Sequence, residues 1–174
     1  MGLQFQIFNG ATATTAGPVK MATTNAIKTL MQIKLGATIS GRILEWGISF
    51  DGTTAATPGV CELVSTGTVA ATSLTAYAAA DLNKFNAEAK LCGDPTTSLF
   101  VVSTSTSGFN TSGGVEGSIT TTILYDGQLI APTNQYVKQF PLGQQPVLNA
   151  GDYLRIRTTF GTTINCICYV TLEI

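Results

Sequence analysis

Residues 149–172 read NAGDYLRIRTTFGTTINCICYVTL, and this stretch decides the fold class. Residues 149–152 have turn composition, and apolar and polar residues then alternate along two runs. Successive side chains of a strand point to opposite faces, so this alternation predicts two β-strands with one apolar face each. The side chains expected to point inward are Leu154, Ile156, Phe160, Ile164, Cys166, Cys168, Val170 and Leu172.

The same two-residue period recurs upstream and predicts further strands. Residues 27–35 also fit a helix, but the apolar run is short and Gly36 follows it, which favours a strand. Asp51-Gly52 and Asp126-Gly127 have the composition of hairpin turns. The other predicted strands cover residues 44–50, 60–66, 99–103, 119–125 and 135–142. About eight antiparallel strands with frequent turns predict an all-β, jelly-roll-like β-sandwich, although other all-β topologies remain open.

Three segments do not follow the strand pattern. Residues 70–89 fit one short helix as an alternative to strands. Residues 104–114 are rich in Ser, Thr and Gly, which predicts a solvated, mobile loop. Residues 1–25 are predicted to form an N-terminal strand and a flexible arm, and residues 26–174 a single sandwich domain. The side chains that would share the face of the alternative helix are Leu74, Tyr77, Ala78, Asp81, Leu82 and Phe85.

Composition and charge exclude several classes of partner. Only 11% of the residues are charged, against about 25% in an average soluble domain, and the net charge is −1. Lys and Arg are scattered singly, so the chain has no basic cluster for nucleic acid or for an anionic membrane. The uncharged stretch 63–80 contains too many Ser, Thr and Gly residues for a spanning helix. We expect a chain that is made in the cytoplasm and binds neither nucleic acid nor membrane.

The residue types argue against catalysis, a metal site or a cofactor. Histidine is absent, which removes Ser-His-Asp and Cys-His machinery and the ordinary zinc sites. The four cysteines lack metal-binding spacing and are expected to be small core residues, with a Cys61–Cys92 bridge left open. Glu45 and Glu62 lie in predicted strands, where an exposed or salt-bridged position is favoured over a catalytic pair. We therefore predict no enzyme.

Six residues are candidates for contact with other molecules. Trp46 is the only tryptophan, and its apolar neighbours favour a core position over a platform for a sugar ring. Tyr153, Arg155 and Arg157 are expected to share the outward face of their strand, where they are solvated or contact a neighbouring subunit. Phe5 and Phe8, in the N-terminal strand, are the remaining candidates for such an interface.

Four segments together resemble structural proteins of tailed phages. They are QFQIFNG at residues 4–10, ILEWGISFDG at 43–52, PTNQYVKQFPLG at 132–143 and GDYLRIR at 151–157. The resemblance implies a jelly-roll-like head decoration (cement) protein, often a trimer, seated on the major capsid protein at the surface of the virion. The implied function is to stabilise the head through oligomeric contacts.

The physical properties of the chain agree with that implication. Low charge and a mean hydropathy of +0.28 predict apolar and Thr-rich surface that an oligomer can bury. The small residues at 11–17 suggest an arm that lies along the capsid or along an adjacent protomer. The alternatives are a tail or fibre component and a carbohydrate-binding β-sandwich module at the particle surface.

Overall fold

The computed structural model describes residues 2–52, 57–93, 96–111 and 115–174. Two antiparallel sheets pack face to face, which confirms the predicted all-β sandwich. Two short helices, α1 (Ala87–Leu91) and α2 (Thr96–Leu99), and a 3-10 turn at Ala79–Asp81 connect strands. In chain order the strands are β1 (Gln4–Phe8), β2 (Met21–Ala22), β3 (Lys28–Lys34), β4 (Gly41–Phe50), β5 (Gly59–Ser65), β6 (Thr75–Ala76), β7 (Leu82–Lys84), β8 (Gly108–Phe109), β9 (Ile123–Ile130), β10 (Gln135–Gln139), β11 (Val147–Leu148), β12 (Tyr153–Thr159) and β13 (Asn165–Glu173).

Among the described strands, eight of the twelve connections between consecutive strands cross from one sheet to the other. Sheet A has the strand order β10-β4-β13-β1-β7, with β11 beside β4 and β2 beside β13, and sheet B has the order β6-β8-β3-β12-β5-β9. Strands β3, β4 and β5 therefore alternate between sheets B, A and B. The predicted Asp51-Gly52 turn thus does not close a hairpin, because the strands before and after it belong to different sheets. Residues 53–56 lie outside the described part of the chain.

The core lies between the sheets and is built by the predicted inward faces. Leu154, Ile156 and Phe160 from sheet B meet Cys166, Cys168, Val170 and Leu172 from sheet A, and all are buried. Burying each large side chain stabilises the fold by roughly 1.5–3 kcal/mol. Trp46 is fully buried here, as its strand pattern predicted. The predicted strand within residues 27–35 is confirmed, and both of its faces are covered.

Two β-bulges displace residues from their predicted positions. In β4, the register with β13 shifts opposite Thr171 and Leu172, so Ile43 enters the core and Leu44 does not. In β9, the register with β5 shifts next to Tyr125, and the strand continues through Asp126 and Gly127. The predicted turn at those two residues is wrong, because an extra residue is accommodated by a bulge within one strand.

The central part of the chain departs most from prediction. Residues 70–89, where one short helix was an open alternative, hold β6, the 3-10 turn and β7, and helix α1 begins only after Asn86 caps it. The predicted strand at 99–103 is replaced by the end of α2 and a single bridge between Phe100 and Leu35. Within the predicted solvated loop, residues 107–110 are buried and contain β8. Residues 112–114 lie outside the described part.

The N-terminal region is largely part of sheet A. Strand β1 lies between β13 and β7, and its Phe5 and Ile7 are fully buried. Strand β2 pairs with β13 further along. Residues 10–20, named here the arm loop, connect these two strands and are held at both ends. Thr12 N donates to Asp81 Oδ1 at 2.7 Å, and Lys20 forms a salt bridge with Asp51 at 2.9 Å.

Candidate assembly surface

The predicted interface arginines are covered by their own chain. Arg155 points away from the core, as the alternation predicted, but its side chain has 0% exposure. Its Nη1 donates to the backbone oxygen of Glu116 at 2.9 Å and to Glu116 Oε2 at 3.1 Å, and its Nη2 donates to Val69 O. Thr29 donates to the same carboxylate from its backbone N–H at 2.5 Å and its hydroxyl at 2.7 Å. We name Arg155, Glu116 and Thr29 the Arg155 cluster.

The neighbours of Arg155 are buried for the same reason. Arg157 forms a salt bridge with Glu62 at 2.7 Å, and Tyr153 is 4% exposed with the Lys34 ammonium 5.0 Å from its ring centroid. Residues 66–71 and 115–117 pass over this face of sheet B and are joined by a bridge between Thr72 and Val115. The expected exposure of Tyr153, Arg155 and Arg157 is therefore wrong.

Phe5 and Phe8, the two N-terminal interface candidates, pack against aromatic residues of their own chain. Phe5 is fully buried between the sheets, where its ring meets Phe100 edge-on at 5.0 Å between centroids. Phe8 is half-buried on the outer face of sheet A, with its ring 5.6 Å from that of Tyr169. Phe5 is therefore inaccessible to a partner in this fold.

Trp46 belongs to a polar cluster that connects the two sheets. Its indole N–H donates to Asp126 Oδ2 at 3.0 Å, and the hydroxyl of Tyr136 donates to the same oxygen at 2.8 Å. The two rings meet edge-on at 5.5 Å between centroids. Burial, together with the adjacent Asp126, raises the pKa of Tyr136 to about 12. Trp46 is thus a core residue and cannot serve as a ligand platform.

The residues considered for chemistry are dispersed. Glu45 accepts a hydrogen bond from the Tyr169 hydroxyl at 2.5 Å in sheet A, whereas Glu62 pairs with Arg157 in sheet B. Within the described residues, no group of three or more His, Cys, Asp or Glu could hold a metal ion. All four cysteines are free, so Cys61 and Cys92 are not bridged: Cys61 is buried and Cys92 exposed. No helix among the described residues is long and apolar enough to cross a membrane.

Three exposed apolar side chains lie together on the outer face of sheet B at its β9 edge. Leu129 is 72% exposed and Leu124 is 59% exposed on β9, and Val60, the cross-strand partner of Leu129, is 43% exposed. All three point to the outer face of sheet B, because the alternate residues Cys61 and Leu63 point into the core. We name these three residues the β9 patch. Asp126 is the only residue of β9 charged at neutral pH, and it points inward to Trp46; on β5, Glu62 shares the outer face opposite Gly127 and is paired with Arg157.

The backbone of β9 is open on the side away from β5. No strand in the described part of the chain pairs with it there, and β9 is eight residues long. The other sheet ends are shorter: β6 has two residues, β7 has three, and β10 has five including Lys138. Short strands and lysines are the usual means by which a sheet edge avoids pairing with another chain. Strand β9 has neither device: it is the longest edge strand among the described residues and carries no lysine, and its protection is limited to the bulge at Tyr125.

A small apolar cavity lies beneath the arm loop. It has a volume of about 180 Å³, and its lining includes Phe8, Val19 and Ile167 with the polar Thr12 and Asn83. The cavity lies over the outer face of sheet A and carries no ionisable group. Its size suits one apolar side chain or ring, but it brings together no reactive residues.

No family model, curated protein or solved structure matches this chain. The resemblance to tailed-phage structural proteins therefore stays a prediction, as do the major capsid protein as a partner and the trimer.

Sequence reasoning missed the β9 patch because it ended the strand at Asp126-Gly127. Residues 123–130 read ILYDGQLI, and the dipeptide has the composition of a hairpin turn. The available signal was the continuation of apolar residues beyond the dipeptide, at Leu129 and Ile130, with no charge other than Asp126. A bulged strand with an apolar outer face would also produce that pattern.

Proposed function

We propose that this chain is a non-enzymatic structural subunit of a virus particle, and specifically a head decoration protein of a tailed phage. It stabilises the head by adding contact area between itself, its copies and the major capsid protein. The phage assignment comes from the sequence resemblance. The observation that carries the structural role is the open, apolar edge formed by β9 and the β9 patch.

The surface chemistry supports a role in assembly. A lone soluble domain usually protects its sheet edges and avoids large exposed apolar patches. Here an eight-residue edge strand carries exposed Leu124 and Leu129 beside exposed Val60, and the one acidic residue nearby on this face, Glu62, is paired with Arg157. Such a surface is stable in water when another protein covers it, and that is the permanent condition of a subunit in a shell.

The interior chemistry supports a passive role. The Nη atoms of Arg155 and the hydroxyl of Thr29 are engaged with Glu116, and Asp126 is engaged with Trp46 and Tyr136. They connect loops to sheet B and sheet B to sheet A, which stabilises the fold without forming a reactive centre. The carbohydrate-binding alternative loses its main candidate, because Trp46 is buried.

The test is co-sedimentation of the purified chain with heads of the phage that encodes it, prepared without this protein. We expect saturable binding and a higher temperature of head disruption when the protein is bound. Leu129→Lys places a charge in the β9 patch and should weaken binding at least tenfold. Leu91→Lys is the matched control, because Leu91 is 84% exposed on α1, which packs beside β1 and β7 at the opposite end of sheet A. Absence of binding by the unmodified protein would reject the proposed function.

A further inference from the structure

We infer that β9 is a strand-pairing site for a second copy of this chain, with β9 of one copy antiparallel to β9 of the other about a two-fold axis. The six-stranded sheet B would then continue across the interface as one sheet of twelve strands. This inference rests on the proposed function and names the partner of its assembly surface.

The chemistry of the edge identifies a β-strand as the occupant. The outer side of β9 presents backbone N–H and C=O groups at strand spacing over eight residues, or about 26 Å. Another extended backbone can satisfy these groups on either side of the bulge at Tyr125. An isolated small ligand, a helix or a nucleic acid could not match that alternating row of donors and acceptors.

The side chains favour a second copy over a foreign strand. Asp126, the only residue of β9 that is charged at neutral pH, points into its own sandwich and accepts hydrogen bonds from Trp46 and Tyr136. Two copies of β9 therefore meet without repulsion between like charges. Leu124 and Leu129 lie towards opposite ends of β9. When two copies pair antiparallel about a two-fold axis, Leu124 of each copy therefore lies near Leu129 of the other. A two-fold interface requires such self-complementarity.

The same reasoning distinguishes β9 from the neighbouring edge β10. Strand β10 is three residues shorter than β9, five against eight, and carries Lys138, which pairs across to Trp46 in β4. A lysine at the edge opposes approach of an identical strand. We therefore assign the pairing to β9, with β10 at the margin of the interface.

The first experiment measures mass and amide exchange on the unmodified chain. Light scattering should give twice 18.2 kDa at high concentration and approach 18.2 kDa on dilution. Hydrogen–deuterium exchange should show slower exchange of peptides covering residues 123–130 in the concentrated sample, and unchanged exchange in peptides covering β6 and β7. A monomer at every concentration would overturn the inference.

A second outcome would overturn the pairing but leave the proposed function intact. If the chain is an oligomer, such as a trimer, whose β9 amides exchange equally at both concentrations, another surface joins the copies. Binding to heads is measured separately, so loss of head binding with intact β9 pairing would reject the function and keep the pairing.

Variants provide the remaining test. Leu129→Lys should raise the dissociation constant of the two-copy species at least tenfold, whereas Leu91→Lys should leave it unchanged. Both positions are exposed, so both variants should fold, and the fluorescence of buried Trp46 verifies this. Equal dissociation constants for the two variants would contradict the assignment of β9.

Discussion

Two regions of sheet B lie outside the core, and only one of them is covered by other segments of the chain. The outer face of β12 is covered by residues 66–71 and 115–117, whose polar groups are matched to Arg155. The edge at β9 carries exposed Leu124 and Leu129 and an unpaired backbone side in the described residues. The first region is packed as in a protein interior, whereas the second exposes apolar side chains and backbone groups as an unoccupied interface does.

The difference shows why residue type alone is a poor guide to an interface. Arginine and tyrosine are enriched at interfaces, yet here Tyr153 and Arg155 are buried inside one chain. The aliphatic residues of the β9 patch are less typical of hot spots, yet they are accessible. Accessibility depends on which segments cross over a strand.

Alkaline pH should have the largest effect on the free energy of unfolding, because the thiols with raised pKa values lie in the interior and not at the β9 edge. Burial raises the pKa of the Cys61 and Cys166 thiols from the ordinary 9.0 to about 12. Between these values the unfolded chain loses protons that the folded chain keeps, so the free energy of unfolding falls as pH rises. We expect urea midpoints, followed by Trp46 fluorescence, to decrease steadily from pH 9 to 12.

A matched variant identifies the groups responsible. Cys61→Ala removes one raised pKa and should reduce the slope of stability against pH in that range, although it also lowers stability at neutral pH by creating a cavity. The exposed side chains of β9 are uncharged at neutral pH, so association measured from pH 6 to 8.5 should stay constant. A flat stability profile from pH 9 to 11 would contradict the buried positions of these thiols.

Breaking the Arg155 cluster should have the next largest effect. Arg155→Ala leaves Glu116 without its guanidinium partner and removes the donors to Glu116 O and Val69 O. Removing one member of a buried ion pair typically costs about 3–5 kcal/mol, and the lower end applies because Glu116 keeps 21% side-chain exposure. Urea denaturation measures the loss.

The control for this prediction is the exposed ion pair between Lys20 and Asp51. Its side chains are 54% and 38% exposed, so Lys20→Ala should leave the urea midpoint unchanged within error. Equal destabilisation by the two variants would mean that residues 66–71 and 115–117 do not cover β12 as described.

Removing Asp126 should have an intermediate effect on stability, because this residue joins the buried Trp46 to the edge strand β9. Asp126→Ala leaves the buried indole N–H of Trp46 without its acceptor, which costs about 1–3 kcal/mol. It also releases the Tyr136 hydroxyl, so β9 and β10 are less firmly joined. Tyr136→Phe is the matched control, because it removes only the more accessible donor and should cost less. A larger loss for Tyr136→Phe would reverse this ranking.

The sequence predicted those parts of the molecule where periodicity and burial coincide. Alternation located β5, β12 and β13 and placed Trp46 and both C-terminal cysteines in the core. It failed at Asp126-Gly127, because a dipeptide suited to a turn is equally compatible with a bulged strand. It also failed on the exposure of Arg155, since the covering residue Glu116 is 39 positions away and no local pattern reports such contacts.

A substitution in the β9 patch should have the smallest effect on the free energy of unfolding. It compares the exposed edge of sheet B directly with the core face of β12. Leu129→Ser replaces a side chain that is 72% exposed, so the isolated chain should lose no more than about 0.5 kcal/mol of stability. The same change at buried Leu154, on the core face of β12, should cost several kcal/mol, because it creates a cavity and buries a hydroxyl. Urea denaturation at concentrations where the chain is monomeric separates the two. A large loss for Leu129→Ser in the monomer would mean that β9 is covered by its own chain, as β12 is, and would remove the distinction between the two regions of sheet B.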